Sequence, residues 1–254
     1  MRFIPLLLVL LAFPARAAPV DVTYALSALG MTVLEITARL DVSDRGWRME
    51  ARSQTTGAAA VFVRGANTTL SEGVWRGAEV VPQRYRADGM WRGEQRRTHL
   101  DFEATRPVVR SLLPVIEPER EPVPETLLAG STDTLSAMVW MARNAGMEGR
   151  CDGRRVTYDG RRLQEWTMRT EGRQEVVAIG GGYRAPALRC AITTQMIAGF
   201  RRDEPRETTG RLARGTVWLG IVSPHLPPIP VRLDMETRMF GTVRVDLTRV
   251  TSPP

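Results

Sequence analysis

Lysine is absent from this 254-residue chain, and every one of its 35 basic side chains is arginine. Arginine suits bidentate recognition of phosphate or carboxylate; exclusive use of it also follows from GC-rich codon choice. The pairs at 96–97, 154–155, 161–162 and 201–202 are interleaved with Asp and Glu, as on a solvated surface of mixed charge. Histidine is nearly absent too. His99 falls on the charged face of an alternating segment, and His225 lies in the loop Ser-Pro-His-Leu-Pro-Pro. There is no Gly-x-Ser-x-Gly, no glycine loop opening a helix and no His/Cys cluster at metal-ligand spacing. No catalytic residue, metal site or cofactor is therefore expected, and a hydrolase would need a catalytic group that the sequence does not display. No motif interleaves aromatic with basic residues, so nucleic acid is not an expected partner. No apolar run reaches the ~20 residues of a membrane-spanning helix. Internal repeats, heptads and low-complexity tracts are missing as well.

What is present begins with an address. Residues 1–17, MRFIPLLLVLLAFPARA, combine an early Arg, an apolar core and an Ala-Arg-Ala site, the pattern of a cleavable secretory signal. Pro5 and Pro14 argue against a buried core helix there, because each removes a backbone donor. The expected mature chain runs from Ala18 as a single β-rich domain over 18–254, in the periplasm. Removal of Arg2 and Arg16 lowers the formal charge from +7 to about +5. At 43% hydrophobic and 25% charged, the composition is that of an ordinary globular protein.

Alternation dominates the rest. Leu34, Ile36, Ala38, Leu40 and Val42 share one face against Glu35, Thr37, Arg39 and Asp41, which is the signature of a half-buried antiparallel strand. After the turn residues Ser43-Asp44-Arg45-Gly46, the residues Trp47, Met49 and Ala51 resume the inward face. Further strands are expected at 20–28, 68–76, 79–88, 94–103, 154–159, 162–170, 174–179, 189–199, 214–222, 230–237 and 241–250. Five prolines between 107 and 124 mark 104–130 as a connection. It leads to one helix at 132–146, with Ser131, Thr132 and Asp133 as capping residues and Gly146 as the stop. Leu135, Met138, Val139 and Ala142 form an i, i+3, i+4, i+7 stripe, which Trp140 and Met141 widen. So wide a stripe predicts a helix set into a curved sheet.

Two sets of candidate site residues follow. Leu135, Met138, Val139 and Met141 of the helix, facing Leu34, Ile36 and Leu40 of the long strand, are expected either to line an apolar cavity or to fill one another's space as core. Cys151 and Cys190 are the only cysteines, with no C-x-x-C, and in an oxidising compartment an even pair is most simply one disulfide.

Three stretches carry a family resemblance: Tyr24 to Gly30 with the long strand after it, Val-Val-Pro-Gln-Arg-Tyr around Pro82 and Tyr85, and Asp-Thr-Leu-Ser at Asp133 followed by Val-Thr-Tyr-Asp-Gly-Arg-Arg. Over about 20–250 the chain resembles domain-of-unknown-function family 3108, exported bacterial proteins of the cell envelope. The resemblance implies no activity. It implies a mainly β fold, one highly curved antiparallel sheet, half-barrel or spiral, around a single central helix, similar to the outer-membrane lipoprotein carriers. Two functions are expected of such a chain. One is a non-enzymatic role in envelope maintenance, holding an acyl chain or other apolar ligand, with a lipid or lipoprotein as partner. The other is docking on an envelope complex or on anionic lipid head groups through arginines.

Overall fold

The computed structural model describes residues 18–62, 64–115, 120–237 and 240–251; the expected leader, residues 1–17, lies outside them. Seven strands form a first meander: β1 (Val20–Ala28), β2 (Met31–Val42), β3 (Gly46–Thr55), β4 (Gly65–Arg76), β5 (Glu79–Trp91), β6 (Glu94–Glu103) and β7 (Arg106–Leu113). A single-turn helix α1 (Ala59–Phe62) interrupts it between β3 and β4, and helix α2 (Thr134–Glu148) follows it. The second meander is β8 (Gly153–Tyr158), β9 (Leu163–Val177), β10 (Arg184–Ala198), β11 (Ala213–Gly220), β12 (Ile229–Thr237) and β13 (Gly241–Thr251), with the single-turn α3 (Arg206–Thr209) before β11.

The two meanders merge because β1 pairs with β13, giving one antiparallel 13-stranded sheet in the order β7-β6-β5-β4-β3-β2-β1-β13-β12-β11-β10-β9-β8. Its edges are β7 and β8, and the chain between them draws them together. Thr132 adds to β8 through Thr132 N–H to the Val156 carbonyl (2.9 Å) and Tyr158 N–H to the Thr132 carbonyl (2.7 Å). From the β8–β9 turn, the Arg161 guanidinium donates to the Pro114 carbonyl (2.9 Å) and to Thr98 on β6 (3.2 Å). The result is a nearly closed, barrel-like sheet, which protects edges that would otherwise present unpaired backbone groups.

Helix α2 starts at a buried cap. The Asp133 carboxylate accepts from the Ser136 N–H (3.0 Å) and from the Ser71 hydroxyl on β4 (3.1 Å), and Gly149 closes the far end in the left-handed conformation. Val139 and Met141 are two residues apart, about 200° around the axis, so they face opposite ways. Trp140, Met141 and Ala145 pack with Met168, Leu188, Ile192, Val217, Leu219 and both cysteines in one core cluster. A second cluster joins β1, β2 and β10–β13 around Val22, Leu40, Trp218, Val231 and Leu247.

Several expectations require correction. Three α-helices are present among the described residues, not one, although two are single turns, and the main helix lies at Thr134–Glu148, two residues later than expected, because it runs on through Gly146, the expected stop, to the left-handed Gly149. Residues 106–113 are strand β7 and not connection. Pro107 is tolerated there because β7 is an edge, where a missing N–H leaves no ladder bond unmade. The segments 162–170 and 174–179 are one strand, β9. Its partners run Arg189–Gly172 and then Cys190–Thr170, so Glu171 is an inserted residue. With Gly172 at φ 110°, this is a β-bulge, which resets the alternation and reads in sequence as a turn.

Candidate ligand cavity

Cross-strand register leaves space on the inner face of the first meander. Ala38 on β2 stands opposite Val22 on one side and Ala51 on the other, so two alanines face each other where larger side chains flank them. Above these alanines, on the helix, sit Leu135, Met138, Val139 and Ala142. Between the two surfaces lies a cavity of about 240 Å³, bordered also by Tyr24, Leu40, Met49, Ile229, Leu233 and Val245. Its wall is apolar apart from Arg48 and Arg232. Arg232 donates to Asp246 (2.9 Å) and to the Val177 carbonyl (2.6 Å). Arg48 is engaged by Glu50 (2.9 Å) and Glu72 (2.5 Å). Trp47 and Trp75, with ring centroids 4.8 Å apart, form the wall where β3 begins, and Arg143 of α2 stacks on Trp75 at 4.2 Å. The Trp47 indole N–H is buried without an acceptor among the described residues, an arrangement native proteins rarely leave unfilled.

A second, polar chamber of about 630 Å³ shares Ile36, Ala51 and Leu135 with the first as a common wall. Arg96, Arg120, Arg161 and Arg162 line it with Asp159 and Tyr85, and Arg162 is paired to Asp159 at 2.8 Å. Burial, with the charge of Asp133 and then of Asp159, pushes the Tyr85 phenol well above its ordinary value.

Five of the seven expected lining residues therefore meet at one wall: Ile36, Leu40, Leu135, Met138 and Val139. Leu34 lies one pleat beyond them, in the polar chamber, and Met141 is fully buried on the other helix face. Tyr24, Leu233 and Val245 join the wall unexpectedly, although alternation in β1, β12 and β13 carries the signal for them. Sequence pattern puts Arg96 and the 161–162 pair on a solvated surface, whereas the structure turns them into this chamber. Nothing local in the sequence shows that Arg96, Arg120 and the 161–162 turn converge.

Both ends of α2 are pinned. Cys151, just past the helix, is bonded to Cys190 on β10, with Cα atoms 6.3 Å apart. At the other end, burial pushes the Asp133 carboxyl above the usual carboxylate range, against the opposing effect of bonds from Ser136 and Ser71. A raised folded-state value means that this group's stabilising contribution is complete below its unfolded value, ~4, and is lost as pH rises through the folded one. Asp133→Asn retains a capping oxygen. In thermal melts from pH 4 to 8, wild type should therefore lose stability relative to this variant as pH rises; a constant difference would contradict the assignment.

The other titratable candidates do not converge. His99 pairs with Asp88 on β5 at 2.7 Å, and His225 is exposed in the β11–β12 loop. Among the described residues no three His, Cys, Asp or Glu side chains come together in a way that would hold a metal ion, and no helix is long and apolar enough to cross a membrane.

The fold and interior thus define a barrel-like antiparallel sheet with an apolar chamber beneath one helix. Residues 20–248 match the family described as "Protein of unknown function (DUF3108)", and the chain belongs to it. A solved structure similar to it is the β-barrel-like protein of the domain of unknown function DUF1849 from Brucella abortus. The two are 13% identical with a TM-score of 0.57, over 94% of this chain and 99% of that one, a likeness of fold alone. An outer membrane lipoprotein-sorting protein domain from Vibrio parahaemolyticus aligns over 94% of this chain and 88% of its own. Its identity is 7% and its TM-score 0.33, too low to bear on the fold. No curated protein matches the chain.

Proposed function

We propose that this protein is a non-enzymatic, exported component of the cell envelope that holds an acyl chain or other apolar ligand in the cavity between α2 and β2–β3. In this reading residues 1–17 are a cleaved leader, residues 18–254 are one periplasmic domain, and α2 sits in the apolar concavity as in a lipoprotein carrier. The observation that carries the proposal is the cavity itself. The space of about 240 Å³ is walled almost wholly by apolar side chains, a surface that favours an apolar occupant over water. Concave, mostly apolar spaces with one or two polar groups are the usual form of a small-ligand site. The unmatched indole N–H of Trp47 fits a ligand that brings a carbonyl or carboxylate oxygen with its chain.

The test is native mass spectrometry of protein purified from the periplasm of its own host, followed by titration of the delipidated protein with a fluorescent fatty acid. A co-purifying apolar mass and stoichiometric binding are expected. Ligand-free protein that also fails to bind the fatty acid overturns the proposal.

A further inference from the structure

We infer that one rim of the barrel docks on the surface of an anionic lipid bilayer. In an up-and-down sheet, alternate turns lie at the same end. The turns β5–β6, β3–β4, β1–β2 and β12–β13 therefore follow one another along a single rim, because β13 runs antiparallel to β1. Backbone contacts join neighbouring turns: Arg92 N–H donates to the Arg64 carbonyl at 3.2 Å, and Thr56 N–H to the Val33 carbonyl at 3.1 Å.

Each of these turns carries a large apolar side chain into solvent. They are Met90 and Trp91, Val61 (78% exposed), Leu29 (70% exposed) with Met31, and Phe240. Scattered single apolar residues need no explanation, but a run of them on successive turn tips marks an interaction surface.

Leu29 is the most informative. It occupies the first position of the Leu29-Gly30 turn at φ 51°, a left-handed conformation that Asn, Asp or Gly adopts easily and leucine does not. Neither folding nor solubility favours an exposed leucine there, so the residue points to something the tip must enter.

Charge selects the occupant. Arg64 and Arg92 are exposed beside these tips, and among the described residues no ion pair or hydrogen bond engages either guanidinium. Glu94, the acid of the same turn, is held by Arg96 at 2.9 Å. Apolar tips including Trp and Phe, flanked by uncompensated cations, match the interfacial layer of a leaflet containing anionic phospholipid. This inference does not depend on the cavity being occupied.

The experiment is co-sedimentation of the mature chain with vesicles of phosphatidylethanolamine and phosphatidylglycerol, against vesicles of phosphatidylcholine alone. Binding to the anionic vesicles is expected, weakening as salt rises. Leu29→Asn should weaken it roughly tenfold, the loss of one buried apolar side chain, while leaving the melting temperature unchanged or higher because the turn is relaxed. Arg64→Glu with Arg92→Glu should abolish the preference for anionic vesicles. Equal binding to both vesicle types, no binding to either, or binding indifferent to Leu29→Asn overturns the inference. Variants that fill the interior should leave vesicle binding intact, so failure of the cavity proposal and failure of this one are separable.

Discussion

Replacing Ala38 by leucine is expected to raise the melting temperature and to empty the protein of ligand in the same step. Ala38 lies on β2 opposite Ala51, and both border the 240 Å³ cavity. The new side chain adds three carbons to an apolar space, worth at most ~2 kcal/mol at ~0.8 kcal/mol per methylene. Realised gains from filling cavities are about 1–2 kcal/mol, or roughly 3–6 °C for a chain of this size. The same three carbons displace a comparable length of any bound chain, so affinity for a fatty acid should fall roughly fifty-fold. The sign of the thermal shift is decisive. Were these residues a filled core, the insertion would force neighbouring side chains off their rotamers and cost about 1–3 kcal/mol. A lowered melting temperature would count against the cavity; calorimetry and fatty-acid titration on one variant read both quantities. Ala51→Leu, on the shared wall, should act in the same direction.

The largest stability effect is expected from the disulfide. Cys151 and Cys190 are both fully buried and lie 39 residues apart. Opening a loop of that length restores chain entropy worth about 4 kcal/mol at 25 °C on the chain-entropy account. For a domain of this size the melting temperature should fall by roughly 10 °C in the Cys151→Ser, Cys190→Ser double variant. The bond ties the segment after α2 to the strand beneath it, so the loss should extend to ligand retention, as the helix gains freedom to swing away from β2 and β3. Protein from the periplasm should present no titratable thiol, even after unfolding. Two thiols per chain under those conditions would falsify the pairing.

Much of the wall was legible residue by residue. The alternation of Ile36, Ala38, Leu40 and Val42, and then of Trp47, Met49 and Ala51, states which side chains face inward, because a strand's period of two is enforced by its own backbone. The Asp133 cap starts α2 through contacts only a few residues long. An even pair of cysteines with no C-x-x-C points to one bond with no knowledge of the path between them. Each of these is a local property or a count, and each is carried by the chain before it folds.

Tertiary structure alone decided the rest. That β1 meets β13, and so converts two meanders into one barrel-like sheet, depends on strands more than two hundred residues apart, and no periodicity encodes which edges will pair. The bulge at Glu171 shifted the phase of β9 through its pairing with β10, so reading β9 by itself broke it in two. The wide stripe of α2 was visible, but only the surrounding strands divided it, sending Met138 and Val139 to the cavity and Trp140 and Met141 to the core. The cavity is a difference between volumes contributed by β2, β3, α2, β12 and β13, and the arginines of the polar chamber come from three separate segments, at Arg96, Arg120 and Arg161–Arg162. Sequence pattern sets which face a residue takes; how much space remains between two faces, and which charges meet across it, is settled only when distant elements pack.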